Sequence, residues 1–154
     1  MFRRHGITMI ELVITLAIVA VLTVMVVPNL GRWIQHHRMK AALRQMVSQM
    51  ELAKISALKN NLEYRVAFDV ANGKFELQRG NRPGGSGDWN PEGGEFSIPR
   101  QVSINVTFGG DRVQFNPDGT AGPGGSVDLS IGSGEQYEIT VTTATGKINT
   151  RRVN

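Results

Sequence analysis

The chain of 154 residues contains no cysteine, only two tryptophans and two tyrosines, and three histidines. Without cysteine there can be no disulfide framework, thiolate nucleophile or zinc ribbon, and the absence says nothing about which side of a membrane the chain occupies. Two of the histidines, His36 and His37, are adjacent. On a helix they point about 100° apart, so they cannot chelate one metal together. No serine sits in a G-x-S-x-G turn and no G-x-x-x-x-G-K phosphate loop is present, so nucleophilic and phosphoryl-transfer chemistry lack their usual supports. No cofactor is called for. The length allows one ordinary domain plus an appendage.

Acidic residues are scarce in some segments and not in others. Positions 31–60 carry six Lys/Arg against Glu51 alone, whereas positions 61–154 carry nine Lys/Arg against eleven acids. The net charge of +4 therefore belongs to the helix and leader, and the part able to form a globular domain is slightly acidic.

Residues 7–27, ITMIELVITLAIVAVLTVMVV, have Glu11 as their only ionisable side chain. As a helix they span about 31 Å, close to the roughly 30 Å hydrocarbon core of a bilayer. A secretory signal or a plain signal anchor also begins with a short basic stretch such as MFRRHG. Neither accounts for Glu11: a carboxylate near a helix centre costs about 2.5–3.5 kcal/mol, less near its end. No A-x-A-like cleavage site follows in VVPNLGRW. Arg3 and Arg4 favour an inside start, while Arg32, Arg38, Lys40 and Arg44 pull the other way, so charge counting leaves the topology open. Pro28 removes a backbone donor and should kink or loosen the helix around 24–29.

Beyond Gly31 the pattern becomes amphipathic, with Met39, Leu43, Met46, Met50, Ala53 and Ala57 recurring at spacings of four and three. This stripe is expected to pack onto the chain's own sheet, with a partner helix as the alternative. Tyr64, Val66 and Phe68, then Phe75 and Leu77, alternate around Asn72-Gly73, the signature of a hairpin. The stretch 80–95 has six glycines, two prolines and no periodicity, and reads as a long exposed loop. Further strands are expected at 102–108 and 112–115, the latter entering an Asn116-Pro117-Asp118-Gly119 turn. Three more, at 126–131, 136–143 and 147–153, are joined by short connections that make them antiparallel neighbours.

Gly6-Ile7-Thr8-Met9-Ile10-Glu11, behind a basic leader and ahead of an apolar helix, resembles the type IV prepilin leader. Ile7 stands where phenylalanine is usual and Met9 where leucine is usual. The layout of long helix, hairpin and loop, followed by QFNPDGTA, SVDLSI and YEITVTTATGKI, is similar to the GspH/FimT group of minor pseudopilins and pilins. The resemblance implies cleavage between Gly6 and Ile7 by a prepilin peptidase, with N-methylation of Ile7. It also implies a cytoplasmic start and an exported remainder. The fold class expected is α+β and pilin-like, a long N-terminal helix packed on an antiparallel β-sheet domain. Its parts are a cleaved leader at 1–6, a transmembrane and assembly helix at 7–30, an amphipathic helix at 31–60 and a β domain at 61–154. The implied partners are other pilin or pseudopilin subunits, the prepilin peptidase, the inner-membrane assembly platform and the inner membrane itself, with secreted cargo or DNA as the outer contact. The role is structural, in a type II secretion or type IV pilus filament near its tip. A membrane-anchored periplasmic enzyme is a third reading.

In the mature chain Glu11 lies four residues from the amine of Ile7. In an apolar bundle each charge needs an opposite partner, and the amine of a neighbouring subunit or the chain's own amine can serve. In DNA-binding relatives a glycine is followed by arginines near the C-terminus. The matching stretch here is Gly146-Lys147-Ile148-Asn149, with Arg151 and Arg152 restoring some charge. Lys147, Asn149, Arg151 and Arg152 form either a weak phosphate contact or a strand edge blunted by charge. Asp88, Asn90 and Glu92, followed by Gly93, mimic the opening of a calcium loop, but Pro99 stands where its last carboxylate belongs. A solvated turn is the plainer account.

Overall fold

The computed structural model describes residues 8–132 and 134–153, with the side chains of 24–30 and 32 outside that description. The chain divides into two compact units between His36 and His37. Helix α1, Met9–Asn60, begins in the first and ends in the second. In the first unit the helix keeps helical backbone through position 28, and its described apolar side chains are exposed all round. Among the described residues no helix is long and apolar enough to cross a membrane. The apolar run 7–27 reaches beyond the described side chains at both ends.

In the second unit Met39, Ala42, Met46, Met50, Ala53 and Ala57 form the buried stripe of the helix. Leu43, expected in that stripe, packs against the core only from its flank, and Ala42 takes the closer place. The small Ala53 and Ala57 let the last turns approach the strands closely. Two antiparallel sheets supply the rest of the core. The first has the order β3-β2-β1-β5-β6, from β1 (Tyr64–Asp69), β2 (Lys74–Gly80), β3 (Trp89–Ser97), β5 (Arg112–Phe115) and β6 (Ala121–Gly122). The second has the order β4-β7-β8-β9, from β4 (Val102–Val106), β7 (Gly125–Ile131), β8 (Gln136–Thr142) and β9 (Lys147–Val153). One cluster unites them: Tyr64, Val66, Phe75, Val113 and Phe115 from the first sheet, Val127, Leu129, Ile139 and Val141 from the second, and the helix stripe. The two-residue alternation of each strand puts these on one face and polar residues on the other.

Three features differ from the sequence reading. The expected loop 80–95 is cut short, because β3 pairs with β2 along Trp89–Ser97. This strand hides from pattern analysis because WNPEGGEFS brings little alternation to the core. Phe96, stacked on Phe75 at 5.5 Å, is its main apolar anchor, and a register shift between Glu76 and Gln78 accommodates the irregular segment. The strand expected at 102–108 ends at Val106; it pairs with β7 while β5 pairs with β1, a partition between two sheets on which the sequence is silent. The short β6 carried no signal in advance. The Asn116–Gly119 turn forms as expected, with the Gly119 amide donating to Asn116 O at 3.0 Å and Gly119 at φ +83°.

Candidate functional site

The start of α1 is built by a threonine cap. The Glu11 amide donates to Thr8 Oγ1 at 3.3 Å and the Leu12 amide to Thr8 O at 3.2 Å. Thr8 is thus the N-cap and Glu11 the third residue of the helix, the spacing of a capping box. A carboxylate there also complements the positive end of the helix dipole. That local role coexists with any intermolecular one, because the Glu11 side chain is exposed. Around it the helix is bare: Met9 is 85% exposed, and Ile10, Val13, Leu16, Val19 and Leu22 are open as well. The two threonines of this stretch turn their hydroxyls back onto the helix, Thr15 Oγ1 to Leu12 O at 2.9 Å and Thr23 Oγ1 to Val19 O at 2.7 Å. Both donors are thereby satisfied without water. Gly6 and Ile7 lie outside the described residues, as does the side chain of Pro28.

At the other end of the chain, β9 is an edge strand with Lys147, Asn149, Arg151 and Arg152 all exposed and Ile148 half-buried against the core. Two of the three cations are already paired. Arg151 grips Glu138 through Nη2 at 2.5 Å and Nε at 3.1 Å, and Arg152 reaches Glu135 at 3.2 Å. Gly146, the head of this motif, has a structural task. It sits at φ +55°, and a Cβ there would come within 2.5 Å of Gly119 O. Beside it, Lys54 Nζ donates to Thr145 O at 3.1 Å and ties the helix to the same turn.

The calcium candidates run along β3 and the residue before it. Asp88 precedes β3 and accepts a hydrogen bond from Asn81 at 2.9 Å, while Asn90 and Glu92 lie within β3 and Glu92 faces Arg79 at 3.6 Å. Among the described residues no three His, Asp or Glu side chains converge as a metal cage.

Glu63, which no sequence motif marks, is the one buried charged residue among those described, at 4% exposure. Its Oε1 accepts from the Gly85 amide at 2.9 Å and from Gln114 Nε2 at 2.9 Å, and its Oε2 from the Ser86 amide at 2.6 Å. Burial pushes the carboxyl up, but the hydrogen bonds from Ser86 and Gly85 outweigh it and hold the group below its ordinary value. Its backbone works the same way, accepting from Gly80 and donating to Arg82 O. The remnant of the expected loop, 81–88, is thus pinned to the start of β1. Trp89 closes it, its ring lying 4.0 Å from the Arg65 guanidinium carbon. A lone glutamate between a helix end and a strand carries no periodic signal.

Comparison with known proteins adds three findings. A family model described as type II transport protein GspH matches residues 42–146, and one for the prokaryotic N-terminal methylation motif matches residues 1–27. Two solved structures of the minor pseudopilin EpsH from the type 2 secretion system of Vibrio cholerae share the fold. Their TM-scores are 0.62 and 0.60 at 11% identity, over 75% of this chain and 97% and 96% of theirs. No curated protein matches. With one model over most of the folded unit and the other over the first 27 residues of the chain, the chain belongs to the type II transport protein GspH family, as a pseudopilin that carries the N-terminal methylation motif.

Proposed function

We propose that this pseudopilin is stored in the inner membrane by its N-terminal helix and enters a secretion filament as a low-copy subunit at or near the tip. The start is cytoplasmic and the β domain periplasmic. A prepilin peptidase cleaves between Gly6 and Ile7 and methylates Ile7, and Glu11 then pairs with the amine of a neighbouring subunit to set register. The observation that carries this reading is the bare helix surface over residues 9–23: apolar side chains exposed on every side, threonine hydroxyls satisfied internally, and Glu11 the single charge of that stretch. Such a surface suits lipid or a helix bundle and nothing aqueous. The chain acts in assembly and in contact with partners or cargo and catalyses no reaction. The DNA-receptor reading is weaker, because Arg151 and Arg152 are held by Glu138 and Glu135.

Intact-mass measurement on protein purified from its own membrane tests the processing step. The expected mass lacks the first six residues and gains one methyl group. Retention of Met1 in peptidase-competent cells would overturn the proposal.

A further inference from the structure

Four strands form the outer edges of the two sheets, and three of them carry the devices that keep edges from pairing. Strand β9 has Lys147, Arg151 and Arg152, β3 has Pro91, Gly93, Gly94 and a register shift, and β6 is two residues long. The fourth, β4, reads VSINV, with no charge, proline or glycine. Its ladder to β7 continues into a Thr107 amide bond to Ser126 O at 2.9 Å. By the alternation of antiparallel pairing, Ser103 and Asn105 then face β7, and the N–H and C=O groups of Ile104 and Val106 point away from the sheet. The Ile104 and Val106 side chains, on the core face, are only half-buried.

The outer face of the same sheet names the chemistry of what fits there. Asn105, Asp128, Glu138 and Arg151 stand in one row, one residue from each strand, each opposite the next. Two carboxylates directly across from one another repel. Arg151 answers Glu138, whereas among the described residues Asp128 has a 3.4 Å hydrogen bond from Asn105 and no cation. The row is one cation short, at the β4 end. A depression of about 390 Å³ lies over it, lined by Ser103, Asn105, Asp128, Ser130, Gln136 and Glu138 among others.

We propose that the free edge of β4 receives an extended segment of a partner protein as a fifth strand. Its apolar residues cover Ile104 and Val106, and a lysine or arginine opposite Asn105 reaches Asp128. Main-chain bonds supply the affinity and the cation sets the register. A second copy of β4 fits less well, since VSINV brings no cation to Asp128. The inference does not depend on how the N-terminal helix is used.

The test uses the full chain in detergent with two capped seven-residue peptides of alternating valine and threonine, one with a central lysine and one with a central glutamate. The lysine peptide should slow amide exchange at Ile104 and Val106 and bind roughly tenfold more tightly than the glutamate peptide. Asp128→Asn should erase that difference and leave binding itself in place. Ile104→Pro should abolish binding, because the lost N–H points outward and the bonds to β7 are kept. Circular dichroism checks that this variant is folded. Equal affinity of the two peptides, protection along β9 instead, no saturable protection, or dimerisation through β4 without peptide would each overturn the proposal.

Discussion

Glu63 illustrates how one side chain can organise a segment distant in sequence. Its carboxylate takes three hydrogen bonds, two of them from loop amides that would otherwise be orphaned beneath the 81–88 turn. Gly80 completes the arrangement: a Cβ there would lie 2.3 Å from Ser86 Oγ, so only glycine lets the turn close. Glu63→Gln keeps one acceptor oxygen and turns an amino group toward a backbone donor, which should cost about 1–3 kcal/mol. Because the folded carboxyl lies below its unfolded value of 4.5, its contribution is complete above that pH. It is lost as pH falls through the folded value. Urea unfolding of wild type and Glu63→Gln should therefore give a gap that is constant near neutrality and narrows below about pH 4.5. A gap unchanged down to pH 3 would show that the carboxylate is not the stabilising form.

At the scale of elements, β9 decides between a nucleic-acid contact and a guarded edge. Lys147 and Asn149 are open, but Arg151 lies against Glu138, with Asp128 one strand further in. Phosphates approaching this face would have to compete with carboxylates already in place. Duplex DNA should therefore bind the protein weakly at every salt concentration, with the shallow salt slope of one or two phosphate contacts, and Lys147→Ala with Arg151→Ala should change affinity by about threefold or less. Gel-shift titration at two salt concentrations measures both. Tight binding near physiological salt that the double variant abolishes would make this strand a DNA site. The elements also show what pattern analysis can reach. The hairpin around Asn72-Gly73, the helix stripe and the last three strands were legible because alternation or helical spacing of apolar residues repeats in each. Strand β3 was not, since its place is fixed by Phe96 against Phe75 and Trp89 against Arg65, contacts visible only in three dimensions. The partition of β4 and β5 between two sheets was equally hidden, because alternation specifies a face and not a neighbour. Glu63 and the pairing of Arg151 with Glu138 depend on register, which the sequence leaves unstated.

For the molecule as a whole, the N-terminal helix and the folded unit place opposite demands on their surroundings, one bare and apolar, the other closed around its own core. In the function proposed above, Glu11 is the charge that sets the register of the subunit in the filament. Glu11→Ala should leave membrane insertion intact, since it removes a charge from an apolar segment, and should sharply reduce the subunit in sheared filaments. Immunoblots of membrane and filament fractions separate the two steps, and wild-type incorporation of the variant would show that register is set elsewhere. The order in which the sheets can be completed follows from their wiring. Helix stripe, β1 and β2 are contiguous in the chain, so a nascent polypeptide can close that hairpin at once. Its central strand, β1, must then wait for β5, which arrives only after β3 and β4 have been made. Until then one flank of β1 has no neighbour. The first sheet is begun early and finished late, and the loop-closure entropy of joining β1 to β5 is met only after β3 and β4 have been made, with β6 still to follow.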